Sequence, residues 1–179
     1  MHASPLLLAA LAALSTSALA APSASTAPAA ADFSFAQWVE DMIADPAGAH
    51  LSPAEAVEAK NAAVAASLSS LRKRINCDKA WARANANDAS ACLADLARKG
   101  AAGTACAMGD DELNVQMCRI GNAKVVGSKP ALGRQSVNCG DVARTGGLIF
   151  DSCWRSDGTV MGSEVVAANR AMQVNILAP

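Results

Sequence analysis

The sequence is short of aromatic residues and of histidine. It contains three Phe, three Trp and no Tyr among 179 residues, and its two histidines are His2 and His50. No charge of one sign dominates, because 15 Lys and Arg face 16 Asp and Glu. This balance excludes a strongly basic nucleic-acid binder, so we expect no nucleic-acid partner.

The first 20 residues are typical of an export signal. An apolar run over residues 6–14 is followed by Ala18-Leu19-Ala20, the small-x-small pattern that a signal peptidase cuts, here after Ala20. The run is too short to span a bilayer, and no later stretch is long and apolar enough to do so. The sequence therefore predicts a secreted, extracellular protein.

Residues 21–74 form an alanine-rich segment with two predicted helices. A linker over 21–31 precedes a helix at 35–43, whose apolar face would carry Phe35, Trp38, Val39 and Met42. The pattern Ser52-Pro53-Ala54-Glu55 is a capping box and predicts a second helix running towards residue 71.

The second helix is followed by the dibasic pair Lys73-Arg74, whose positive charge suits a helix C-terminus and which also matches the recognition pattern of a kexin-type protease. Every cysteine lies after this pair. We therefore expect a helical pro-segment over 21–74 and a mature, cysteine-rich domain over 75–179. The alternative is a wall-associated structural protein that keeps the alanine-rich segment as a tether.

Six cysteines are spread through the mature domain with no C-x-x-C pair, which disfavours a zinc or redox motif. In an exported chain they predict three disulfides, with 15 possible connectivities. These cysteines are Cys77, Cys92, Cys106, Cys118, Cys139 and Cys153.

The remaining pattern predicts mixed helices and strands. We expect a helix at 88–99 capped by Asp88 and ended by Gly100, a hairpin of strands at 113–120 and 123–128, a helix at about 141–154, and a last strand at 172–177 inside the sheet. Gly146 and Gly147 predict close packing of the second helix against the sheet, or a break. The fold class is α+β, a small disulfide-stapled antiparallel sheet with two helices on one face.

Residues 75–179 contain no histidine, which excludes Ser-His-Asp and Cys-His catalysis there. We therefore expect a non-enzymatic protein with no metal and no cofactor. The alternative is a small secreted hydrolase using two of its carboxylates, such as those in the Asp110-Asp111-Glu112 run.

Basic residues cluster along the predicted hairpin and the loop after it. They are Arg119, Lys124, Lys129 and Arg134. Side chains of one sign on neighbouring positions can form a positive edge, so these four are candidate target-binding residues.

The cysteine region resembles a known family. An Ile75-Asn76-Cys77 opening, a helix with Cys92, a strand into Cys118, a helix ending Cys153-Trp154 and a terminal strand with Val174-Asn175-Ile176 resemble the single-chain killer toxin family of a smut-fungus virus. The resemblance extends more loosely to the secreted necrosis-inducing effectors of plant-associated fungi.

This resemblance implies a compact α/β sandwich that acts outside the cell without catalysis. For the toxins it implies interference with calcium uptake and a basic side chain near the central strand cysteine, where this sequence has Gln116. We expect a monomeric fungal effector or toxin-like protein. Its partner would be a surface protein, channel or glycan of a plant host or a competing fungus.

Overall fold

The computed structural model describes residues 33–66, 75–77 and 80–179. In these ranges the chain forms four α-helices, α1 (Phe35–Ala44), α2 (Pro53–Ala66), α3 (Ala86–Ala101) and α4 (Cys139–Cys153). The strands of the same ranges are β1 (Ala84–Asn85), β2 (Ala105–Met108), β3 (Asn114–Ile120), β4 (Ala123–Ser128), β5 (Gln135–Asn138), β6 (Thr159–Val160), β7 (Gly162–Val165) and β8 (Gln173–Leu177).

Four strands form one antiparallel sheet in the order β3-β4-β8-β7. The predicted hairpin is confirmed as β3 and β4, and the predicted last strand lies inside the sheet as β8. The register shifts between Gln116 and Cys118, so Met117 is an extra residue in β3. Two short pairs, β1 with β6 and β2 with β5, join elements outside this sheet.

Helices α3 and α4 cover one face of the sheet. The sheet residues that point towards them are buried, including Val125, Val174 and Ile176, which are all 0% exposed. The predicted α+β fold with a disulfide-stapled sheet and two helices on one face is confirmed.

Helices α3 and α4 both begin earlier than the sequence predicts. Asn85, not Asp88, caps α3, since its side chain accepts hydrogen bonds from the backbone of residues 87 and 88. Asp88 instead accepts a hydrogen bond from the backbone N–H of Asn122 (2.8 Å) in the hairpin turn. Asn138 caps α4. Asparagine is a strong cap, but its position is visible only once the preceding strand is placed.

The predicted ending of α3 at Gly100 and the predicted packing of Gly146 and Gly147 on the sheet are wrong. Gly100 lies within α3, and a Cβ there would meet the backbone N of Gly140 at 2.2 Å. A Cβ on Gly146 would meet Leu93 of α3, and one on Gly147 would meet Ala36 of α1. These glycines let helices, not a sheet, approach closely.

Helices α1 and α2, which we call the front helices, pack on the surface of α3 and α4 that points away from the sheet. The predicted apolar face of α1 is confirmed, because Phe35, Trp38, Val39 and Met42 are buried. The predicted capping box is also present: the backbone N–H of Ser52 donates to Glu55 Oε2 (2.7 Å), and that of Glu55 donates to Ser52 Oγ (3.3 Å). The hydrogen bonds from Ser52 lower the pKa of the Glu55 carboxyl.

The Asp151 carboxylate of α4 holds both front helices. It accepts hydrogen bonds from Ser34 Oγ (2.7 Å) and from the backbone N–H groups of Phe35 (2.9 Å) and Ala36 (3.0 Å) at the start of α1. It also pairs with Lys60 Nζ of α2 at 2.7 Å. A carboxylate at a helix N-terminus stabilises the free amides and the positive end of the helix dipole.

Three disulfides tie the elements together, as the cysteine pattern predicts. Cys77 pairs with Cys153, Cys92 with Cys118, and Cys106 with Cys139. They join the residues before β1 to the end of α4, α3 to β3, and β2 to the start of α4.

We predict that this connectivity holds in the oxidised protein. Digestion without reduction, followed by mass spectrometry, should recover peptide pairs linked as 77–153, 92–118 and 106–139. Any other pairing, or an alkylated cysteine before reduction, would contradict the structure.

Candidate target-binding surface

The sheet has an outer face that the helices do not cover. Partners across an antiparallel ladder point to the same side, so the register identifies its residues. They are Asn114, Gln116, Arg119, Lys124, Val126, Ser128, Ser163, Val165, Gln173, Asn175 and Leu177. We call this set the outer sheet face. It contains amides, hydroxyls and two cations but no carboxylate.

The structure brings two of the four predicted basic residues together on this face. Arg119 of β3 lies directly opposite Lys124 of β4. Arg119 is exposed and Lys124 is half-buried. Two like charges in opposite positions disfavour the pair in isolation and favour an anion that contacts both.

The other two predicted residues lie elsewhere. Lys129 is buried, with only 6% of its surface exposed, and its ammonium donates to the carbonyls of Gly109 (2.6 Å) and Gly133. The Lys129 side chain therefore links the loop at Gly109 to the loop at Gly133 and does not reach the surface. Arg134 is exposed and lies 3.9 Å from Asp110. The single positive edge expected from the sequence is divided, because the end of β4 turns Lys129 inward.

Two polar atoms near the centre of the outer sheet face are buried and have no hydrogen-bond partner among the described residues. Ser163 and Asn175 lie opposite each other on β7 and β8. The Asn175 amide nitrogen donates to Val126 O (3.2 Å) and Ser128 Oγ (2.8 Å). Asn175 Oδ1 and Ser163 Oγ have no hydrogen-bond partner in the described part of the chain. Sequence patterning gives no signal for this pair, since it depends on the register.

Open clefts flank the outer sheet face. One of about 390 Å³ lies between α3 and edge strand β3 and is lined by Lys99, Gln116 and Arg119 among others. Another of about 320 Å³ is lined by Ser128, Arg170 and Gln173 among others. Each cleft therefore has an arginine at its border, and the cleft beside α3 also contains the ion pair between Lys99 and Asp95.

The carboxylates proposed for a hydrolase are spread over separate contacts. Asp110 lies beside Arg134, Glu112 accepts a hydrogen bond from the backbone of Gly109 (2.6 Å), and Asp151 holds the front helices. Asp157 accepts a hydrogen bond from the Thr159 hydroxyl, which lowers the pKa of its carboxyl. A general acid needs a raised pKa, so Asp157 is unsuited to that role.

The fold and its three bridges define a disulfide-stabilised α+β protein, a class typical of oxidising extracellular compartments. The chain belongs to the family described as a domain of unknown function (DUF8794), whose model matches residues 72–178. No curated protein and no solved structure matches the chain.

The family match begins at residue 72, one residue before the dibasic pair, and leaves α1 and α2 outside it. The predicted signal segment with Ala20, the linker over 21–31 and the pair Lys73-Arg74 lie outside the described residues. None of the helices in the described ranges has the length and apolar character needed to cross a membrane.

We predict that the Ser163 hydroxyl does not stabilise the fold. Ser163→Ala should leave the free energy of unfolding unchanged or raise it by up to about 1 kcal/mol, because it removes a buried group that makes no hydrogen bond in the described part of the chain and that costs desolvation free energy. The matched control is Ser90→Ala, at a buried serine whose hydroxyl donates to Asn87 O at 2.9 Å, and it should cost about 1 kcal/mol.

Urea unfolding of both variants measures the difference. Equal losses in the two variants would show that Ser163 is hydrogen-bonded in solution.

Proposed function

We propose that this protein is a secreted, non-enzymatic effector or toxin-like protein that binds an anionic polymer on the surface of a plant host or a competing fungus. The observation that carries the proposal is the outer sheet face, which has Arg119 beside Lys124 and no carboxylate among its residues. A face with cations and neutral amides attracts anionic groups and offers hydrogen bonds to hydroxyls.

The packing of the fold supports this proposal. The disulfide between Cys92 and Cys118 fixes β3 to α3, next to Arg119. A rigid strand holds the cationic pair at a constant spacing, which lowers the entropy lost on binding. The predicted export signal and the resemblance to fungal killer toxins and necrosis-inducing effectors provide the biological setting.

We predict that charge reversal on the face removes binding without unfolding the protein. Arg119→Glu combined with Lys124→Glu keeps a like-charge pair across the strands but changes its sign, so stability should change little. Binding to polygalacturonate should fall at least about tenfold, and wild-type binding should weaken as salt is raised. Laminarin, a neutral β-glucan, should not bind.

The matched control is Arg98→Glu combined with Arg155→Glu. These exposed arginines lie off the outer sheet face, and their reversal changes the net charge by the same amount. Biolayer interferometry measures the affinities, and leaf infiltration and fungal growth assays follow the same variants. An equal loss of affinity in both double variants would show that binding depends on net charge and not on this face. If the wild-type protein does not bind polygalacturonate, the proposal of an anionic target is wrong.

A further inference from the structure

The face of α3 and α4 that points away from the sheet is occupied by residues 33–66. The Phe35 ring of α1 lies 4.1 Å, centre to centre, from the Phe150 ring of α4, and both side chains are fully buried. Trp38 packs edge-on against Phe35, and its indole N–H donates to Leu51 O (3.0 Å). Buried aromatic anchors are the usual source of affinity at a helix-binding surface.

Helix α4 has a shape that fits α1. A Cβ on Gly147 would lie 2.8 Å from Ala36 Cα and 3.0 Å from its N, and one on Gly140 would lie 3.2 Å from Ile43 Cδ1. Residues seven apart lie on the same face of a helix, so these two glycines leave a surface without side chains against which α1 packs. At Gly147 the α1 backbone lies too close to leave room for a side chain.

Polar contacts fix the orientation of the bound helices. Asp151 accepts hydrogen bonds from the first amides of α1 and pairs with Lys60 of α2, whose side chain is only 5% exposed. At the other side of the contact, Arg144 Nε donates to Glu40 Oε1 (2.7 Å). Aromatic anchors with directional polar contacts around them are the composition of a binding interface.

Residues 33–66 are also separate from the family domain in sequence. The family match begins at residue 72, and all three disulfides join residues from 77 onwards. No covalent bridge therefore links α1 or α2 to the domain, and the segment is held by non-covalent contacts and by the chain connection at 67–74.

We propose that the α3–α4 face is a docking surface for a helix pair and that residues 33–66 bind it as a separable ligand, which stays bound after the chain is cut between residues 66 and 75. This inference goes beyond the proposed function and does not rest on it. While the segment is bound, it covers Phe150 and Gly147 and leaves Arg119 of the outer sheet face exposed.

The experiment uses the full oxidised chain with a site-specific protease sequence inserted between residues 70 and 71. After cutting, verified under denaturing conditions, size-exclusion chromatography with mass detection should show one 1:1 complex at micromolar concentration. A labelled synthetic peptide of residues 33–66 should exchange into the cut complex. Separation of the fragments at once, or precipitation of the cysteine-rich fragment on cutting, would overturn the proposal.

Gly147→Ala provides the specific variant. Alanine is favourable within α4, but its methyl group would meet the α1 backbone, so peptide affinity should fall at least about fivefold while all three disulfides form. The matched control is Gly109→Ala, where the added Cβ meets only the flexible end of Glu112, and its affinity should stay unchanged. Equal affinities in the two variants would place the docking surface elsewhere and overturn the proposal.

Discussion

The carboxylate of Asp151 joins three helices that are distant in sequence. Four donors reach it, two backbone amides and a hydroxyl at the start of α1 and the ammonium of Lys60 on α2. Its side chain is 20% exposed and that of Lys60 only 5%. A charge so little exposed is tolerated only with such partners, because an unpaired buried ion costs several kcal/mol. The position of the front helices depends on this contact.

The sequence patterns predicted the regular elements with strong periodicity or clear turn signals. The apolar spacing of α1, the capping box at Ser52 and the hairpin around Gly121-Asn122 each depend on neighbours within a few residues. Such local patterns suffice because the physical cause is itself local. The short strands β1, β2, β5 and β6 lack a pattern of this kind, since tertiary pairing alone creates them.

The candidate surface was only partly predictable for the same reason. Arg119 and Lys124 flank a tight turn, so their proximity follows from the hairpin. The burial of Lys129 and the opposition of Ser163 and Asn175 depend on loop packing and sheet register. The role of Asp151 was also invisible, because its partners lie about 90 to 120 residues earlier in the chain. The sequence therefore predicted a removable pro-segment without indicating how closely it fits the domain.

A double-mutant cycle on Lys60 and Asp151 tests most directly whether this contact holds the front helices. The variants are Lys60→Met, Asp151→Asn and their combination, compared with the exposed pair Lys99 and Asp95, which has the same 2.7 Å distance. Unfolding free energies should give a coupling of about 1–3 kcal/mol for the buried pair and at most about 0.5 kcal/mol for the exposed one. A buried-pair coupling no larger than that of the exposed pair would contradict the account.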